Sequence, residues 1–410
     1  MSASGRLTCR GLAAALLWLS TSAGMAAPQL LYFSERERSS ILSHGPWPPA
    51  PARDPGNALS GQPAAIMLGQ LLFFDRRLSA DGRLSCASCH LPAQAFTDRQ
   101  ARAIGRQALE RNAPSLWNAV HQRWYGWDGA TDSLWSQAIG PLTDPREIGS
   151  SAEHLQSLLA SDSELACRVA RLSPPLSTQD PQAALVVVAK ALGAFVATLV
   201  GKPSPFDQFR AALARGDQRA AANYPLAGQR GLLLFVGAGQ CSTCHVGPMF
   251  TNGEFGDIGM PFFVRPGVVD PGRHTGITLL QANQFNLLSP WSDNAVGEVS
   301  LKTRHVMAQH RNFGEFKVPS LRNVALTAPY MHDGQLASLD DVVRHYSEFK
   351  PERLHADGER ILRPLALDTG QRADLVAFLR TLSEPGAQRW TATKLQRCAA
   401  DKTTPHRPPP

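Results

Sequence analysis

The chain has 410 residues, room for two domains of ordinary size, and carries 41 Lys and Arg against 34 Asp and Glu for a formal charge of +7. That mild basicity is no nucleic-acid footprint, although it suits electrostatic steering towards an acidic protein partner. Beyond the N-terminus no stretch is long and apolar enough to cross a bilayer.

Residues 1–26 read as a secretory signal. Arg6 and Arg10 form a basic leader, residues 11–19 an apolar run too short to span a membrane, and Gly24-Met25-Ala26 a small-residue cleavage site. Its removal leaves a formal charge of +5 and predicts an exported, periplasmic protein. Residues 27–60 hold much Pro and Gly with little periodicity, which predicts an extended lead-in. Residues 64–74 are apolar enough for a helix, and 75–82 make a polar turn.

Cys86-Ala87-Ser88-Cys89-His90 follows. Two thiols three apart can add to the two vinyl groups of one haem, and the next His can reach the iron; this is the c-type haem attachment pattern. A thioredoxin-like redox pair and half of a zinc site share part of it. The first does not need His behind the second Cys, and the second seldom repeats in this form. Here the pattern does repeat, as Cys241-Ser242-Thr243-Cys244-His245, so two covalent haems are expected. Residues 91–111 contain neither His nor Met, which removes the nearest local source of a second axial ligand and leaves the first iron open to a small ligand.

Residues 111–115 are turn-like, and 116–120 resume a helix. The aromatic run 124–129 reads ring by ring as core packing. A short helix over 133–139 ends at Gly140-Pro141, and Glu147 then lies between turn residues. Residues 183–200 predict a long apolar helix closed by Gly201, and 204–210 begin another element. Small polar residues near 215–225 place the boundary between a first domain, 27–220, and a second, 221–400. Residues 226–236 mirror 64–74, an internal duplication by pattern. Residues 251–316 read as a long, weakly periodic loop, 338–349 and 372–382 as helices, and 401–410 as a disordered tail. Strand signals are poor throughout, so the fold class is mainly α: two cytochrome-c-like haem domains packed against each other. Cys9 leaves with the signal; Cys167 and Cys398 remain, as a disulfide or as unrelated thiols.

Residues 71–75, 111–115, Trp127-Asp128-Gly129, Gln137, Gly140-Pro141, Glu147, 204–207, 316–323 and 329–334 together resemble the bacterial di-haem cytochrome c peroxidase/MauG family, over nearly all of the mature chain. The resemblance implies several roles. Trp127 would relay electrons or holes between the haems. Glu147, twenty residues beyond it, would be the distal acid–base carboxylate, and Gln137, ten beyond it, the distal glutamine. Asn112, Thr327 and Pro329 match positions that hold a calcium ion between the domains, the last two through backbone carbonyls.

Two departures bear on the branch. Fourteen residues after His332, where the peroxidases carry an outer Met ligand, stands Tyr346; MauG is similar in having tyrosine there. A phenolate favours ferric and higher states, a thioether ferrous iron. Met307, Met331 or His345 are the alternative ligands. The missing loop histidine after His90 implies that no prior reduction is needed to open the first site. Residues 281–312 lie beyond the usual core, as a partner surface or a neutral insertion.

The resemblance thus implies an enzyme that uses hydrogen peroxide to reach a high-valent dihaem state and oxidise an exported partner protein. The alternative is a cytochrome c peroxidase reducing peroxide to water with electrons from a small cytochrome or cupredoxin. A plain electron carrier with both irons six-coordinate is a third reading, against which Glu147 and Gln137 speak.

Overall fold

Residues 29–261, 263–265 and 267–398 are described in the computed structural model; the expected signal, 1–26, and tail, 401–410, lie outside them. The first helix among the described residues is α1 (Glu35–Leu42), where sequence reading expects extended chain. Its cause is local: the Ser34 hydroxyl accepts from the Glu37 N–H while the Glu37 carboxylate accepts from the Ser34 N–H, a reciprocal cap.

The first half continues with α2 (Pro63–Phe74), the single turn α3 (Cys86–Cys89), α4 (Leu134–Thr143), α5 (Ala152–Ser161), α6 (Ser163–Val169) and α7 (Pro181–Val196). Gly140-Pro141 does not stop α4, which runs through both residues. No helix resumes at 116–120, because Asn118 takes a left-handed conformation and leaves only the 3-10 turn Ala119–His121. The second half comprises α8 (Pro205–Ala214), α9 (Gln218–Ala221), α10 (Leu226–Val236), α11 (Arg273–Ala282), α12 (Glu298–His305), α13 (Leu339–Ser347) and α14 (Thr369–Arg380). The 251–316 stretch therefore holds two helices, each anchored by few apolar residues (Ile277 and Leu280 on α11), which is why its periodicity is weak.

Sheet is confined to two antiparallel ribbons among the described residues: β1 (Phe255–Gly256) with β4 (Phe316–Lys317), and β2 (Phe263–Arg265) with β3 (Val268–Val269). The architecture is mainly α. No described helix is long and apolar enough to cross a membrane.

Each half is built on one close helix pair. A Cβ on Gly69 of α2 would stand 1.9 Å from the Ala191 carbonyl of α7, and one on Gly231 of α10 would stand 1.9 Å from the Asp374 carbonyl of α14. Only glycine allows either approach. Four residues beyond each glycine a buried Phe meets the partner helix: Phe73 lies 5.2 Å from Phe195, and Phe235 lies 4.9 Å from Phe378. The duplication extends to the loops. Asn118 and Asn323 both have positive φ and donate N–H to the Leu199 and Leu382 carbonyls, at 2.7 and 3.1 Å. Their side chains accept from the Gly201 and Glu384 N–H groups.

The two cores do not follow a single cut of the chain. Ile41 of α1 and Phe206 and Phe209 of α8 belong to the second core, although both helices precede residue 220. Conversely, Trp390 packs on Phe74, Phe96 and Phe195 of the first half. Gln70 and Thr393 exchange two hydrogen bonds, and Cys167 and Cys398 are joined by a disulfide, which decides the question their sequence positions left open.

Candidate haem sites and the seam between them

Both attachment motifs fold into one tight turn. His90 and His245 donate their N–H to the carbonyls of Cys86 and Cys241, at 3.0 and 2.9 Å, so each His is brought back beside its two thiols. Each ring is then oriented by a backbone carbonyl: Nδ1 of His90 to Phe96 at 3.1 Å, and Nδ1 of His245 to Phe250 at 2.9 Å. A carbonyl can only accept, so Nδ1 carries the hydrogen and Nε2 keeps its lone pair for a metal. Burial lowers both imidazole pKa values, which keeps the rings neutral. Burial also pushes the Cys86 thiol up to about 12, Cys89 to about 11 and Cys241 to about 12. The thiols of Cys86, Cys89, Cys241 and Cys244 are unpaired. Oriented neutral imidazoles beside paired free thiols fit a covalent haem in each half.

Around the first motif, Phe96 packs edge-on against Trp117 and Trp390. Glu147 lies close enough to bear electrostatically on both Cys86 and Cys89. It sits in the turn after α4, where its N–H donates to the Asp144 carbonyl and where a side chain at Gly105 would collide with its backbone. Burial, with the nearby Asp144 charge, raises its carboxyl to about 7. Gln137, on α4, accepts from the Thr131 hydroxyl at 2.5 Å. The helix and its following turn thus carry both residues on one unit.

In the second half, Tyr346 near the end of α13 is placed beside Cys241 and Cys244; burial, reinforced by these two groups, raises its phenol well above the ordinary value. Two of the three rival ligands are otherwise engaged or exposed. His345 uses Nε2 on the Ile258 carbonyl at 2.8 Å, and Met307 is 72% exposed.

Trp127 lies on the seam between the halves. Its Nε1–H donates to the Asn112 carbonyl at 2.9 Å, and its own carbonyl accepts from the Lys317 N–H at 2.8 Å. Asn112 in turn donates its N–H to the His332 carbonyl at 2.8 Å, and its side-chain amide donates to the Gln100 carbonyl at 2.7 Å. The Thr327 hydroxyl instead donates to Val324 within its own turn, and Pro329 follows a cis peptide bond. Asn112 is therefore tied to the 330–334 turn through His332.

Sequence reasoning marked Arg111, Asp128, Phe316 and His332 only as parts of matching strings, and missed Asp270 and the contacts among them. Arg111 pairs with Asp128 at 2.6 Å and Asp270 at 2.8 Å, and His332 stacks on Phe316 with ring centroids 3.5 Å apart. The available signal was a repeated string: Pro-Ser-Leu-x-Asn at 114–118 and 319–323, and Tyr-x-x-Asp-Gly at 125–129 and 330–334.

Comparison with known proteins places this geometry. The family model described as "Di-haem cytochrome c peroxidase" matches residues 63–215. Cytochrome-c peroxidase IdrP2 of Pseudomonas sp. (strain SCT) is 34% identical over 88% of this chain and 90% of its own length. The chain belongs to the di-haem cytochrome c peroxidase/MauG family. Within it, the methylamine utilization protein MauG of Methylorubrum extorquens is 33% identical, covering 79% of this chain and 80% of that protein. Among solved structures of this family's fold, a MauG-like protein associated with microbial copper homeostasis superposes with a TM-score of 0.64 at 27% identity, over 84% of this chain and 96% of that one. As a di-haem peroxidase-family chain, this protein is an oxidoreductase, and the family implies two c-type haems.

Proposed function

We propose that this di-haem peroxidase is of the MauG type: an exported, periplasmic enzyme that uses hydrogen peroxide to oxidise residues of a partner protein. The position of Tyr346 beside Cys241 and Cys244 carries this reading, because a phenol oxygen there suits a site that stores oxidising equivalents better than a thioether would. Haem, when bound, supplies the peroxide-reactive and electron-storing chemistry. The chain's own residues supply proton handling, orientation and the route between the halves.

Glu147 would hold and move the proton that peroxide cleavage shifts between its two oxygens, the haem when bound supplying the electrons. A carboxyl held at about 7 by burial is well matched to accept and release a proton near neutrality, and such catalysis is worth roughly 10²–10⁴-fold. Gln137, its oxygen engaged by Thr131, directs its amide N–H groups as donors. Trp127 relays charge across the seam. Asn112, with the Thr327 and Pro329 carbonyls, would hold a calcium ion; the Asn112 side-chain amide N–H is spent on Gln100, and its Oδ1 is a hard oxygen donor of the kind calcium takes.

The test is addition of one equivalent of peroxide to the ferric holoprotein. Oxidising equivalents that persist for minutes without an added donor support the MauG reading. Rapid catalytic turnover with a reduced small cytochrome, and no persistence, would establish the alternative, peroxide reduction to water.

A further inference from the structure

On the surface of the second half the segment after α12 meets the 351–362 loop. His310, on the 3-10 turn His310–Asn312, and His355 and Asp357 of the loop bring one donor atom each within 4.8 Å of one another. Among the described residues this is the one trio of His, Cys, Asp or Glu side chains so disposed. We propose that these three residues form a binding site for a borderline divalent transition ion of the Zn²⁺ or Cu²⁺ class.

Two imidazole nitrogens and one carboxylate oxygen are the donors such ions prefer, whereas Ca²⁺ or Mg²⁺ would want an all-oxygen set. Bond lengths of about 2.0–2.2 Å put the donors of a tetrahedral ion roughly 3.5 Å apart. The trio must therefore contract by roughly 1 Å, within reach of side chains on two surface loops. The Nδ1–H of His310 already points at the Asp357 carboxylate, and an ion would take the place of that shared hydrogen. Asp357 returns its backbone N–H to His355 Nδ1 at 3.4 Å.

The surroundings hold the rings in place. Phe313 lies 5.5 Å from His310 and stacks on His355 at 5.8 Å, with His274 stacked on it at 4.0 Å. The backbone N–H of His355 is anchored to the buried Asp257 carboxylate at 2.7 Å. The adjacent cation, Arg311, is engaged by Glu359 and Gln309 rather than by Asp357. Three protein donors leave the fourth position to water or an outside ligand, the open pattern of reactive and exchangeable sites. The ion would staple the 306–317 segment to a loop whose Glu359 bears electrostatically on Cys244.

Chelator-treated holoprotein is dialysed against Zn²⁺, with Ca²⁺ as the hard-ion control, and bound metal is counted by elemental analysis. One Zn²⁺ per chain, not displaced by excess Ca²⁺, is expected. His310→Ala, His355→Ala and Asp357→Asn should each weaken it at least tenfold, His154→Ala should not, and the haem absorbance should not change in any of them. Zn²⁺ should also slow proteolysis within 351–362 in the parent protein but not in the His310→Ala/His355→Ala double variant. Zn²⁺ bound equally well by that double variant, or no Zn²⁺ retained by the parent, would overturn the site.

Discussion

The indole N–H of Trp127 donates to the carbonyl of Asn112 at 2.9 Å, and that carbonyl belongs to a residue whose own N–H reaches across to His332. The arrangement is reciprocal. Asn112 precedes Ala113-Pro114-Ser115 as Lys317 precedes Val318-Pro319-Ser320, and Lys317 donates to Trp127 as Asn112 donates to His332. The two halves thus clasp each other through equivalent backbone groups, with the indole laid across the clasp.

Trp127→Phe keeps the ring volume broadly but removes the donor. It should cost about 1 kcal/mol for the lost hydrogen bond and leave both haems attached. Transfer of oxidising equivalents between the halves, followed by stopped-flow absorbance after peroxide mixing, should slow at least tenfold. An unchanged rate would take Trp127 out of the route.

Glu147→Gln should lower peroxide turnover roughly 10²–10⁴-fold while both haem spectra persist. The pH profile is a second check. The raised carboxyl, at about 7, must be ionised to accept a proton, so kcat/KM should climb as pH rises through about 7. The same shift opposes stability on the alkaline side: folding favours the neutral carboxyl, so the contribution is full below the unfolded value and is lost as pH rises through 7. In the Gln variant both the kinetic limb and this pH-dependent loss should vanish.

Tyr346→Met should raise the reduction potential of the second haem, read by spectroelectrochemistry, and shorten the lifetime of stored oxidising equivalents. If potential and lifetime both stay at the parent values, the phenol is not a ligand.

Gly69→Ala and Gly231→Ala test the paired helix crossings. Each added Cβ would sit 1.9 Å from a backbone carbonyl, so the helices must separate. Destabilisation of about 1–3 kcal/mol is expected from such overpacking, seen as a lower thermal midpoint. Gly216→Ala, where nothing stands within 4 Å of the added carbon, bounds the general cost of changing a glycine, left-handed backbone included.

What the sequence made legible was chemistry set by near neighbours. The two Cys-x-x-Cys-His strings, the helices after Pro63 and Leu226, and the mainly α class all depend on residues a few positions apart. The seam was not legible as geometry, because Arg111 finds Asp270 and Phe316 finds His332 only after the chain has folded back. Nor was the His310, His355 and Asp357 trio, drawn from two loops some forty-five residues apart. Helix α1 is a different failure. Its Ser34 and Glu37 cap was in plain view, but the polar stretch around it lacked the apolar rhythm by which helices are found.

The exchange of chain ends between the two cores has a practical corollary. A polypeptide severed after residue 220 would strand Ile41 and Phe206 on one fragment and their packing partners on the other, while Trp390 would leave the first fragment's aromatic cluster unfilled. Neither piece should mature into an independent cytochrome. The two would have to be co-produced and to find each other, as in fragment complementation, before either could bury its apolar face.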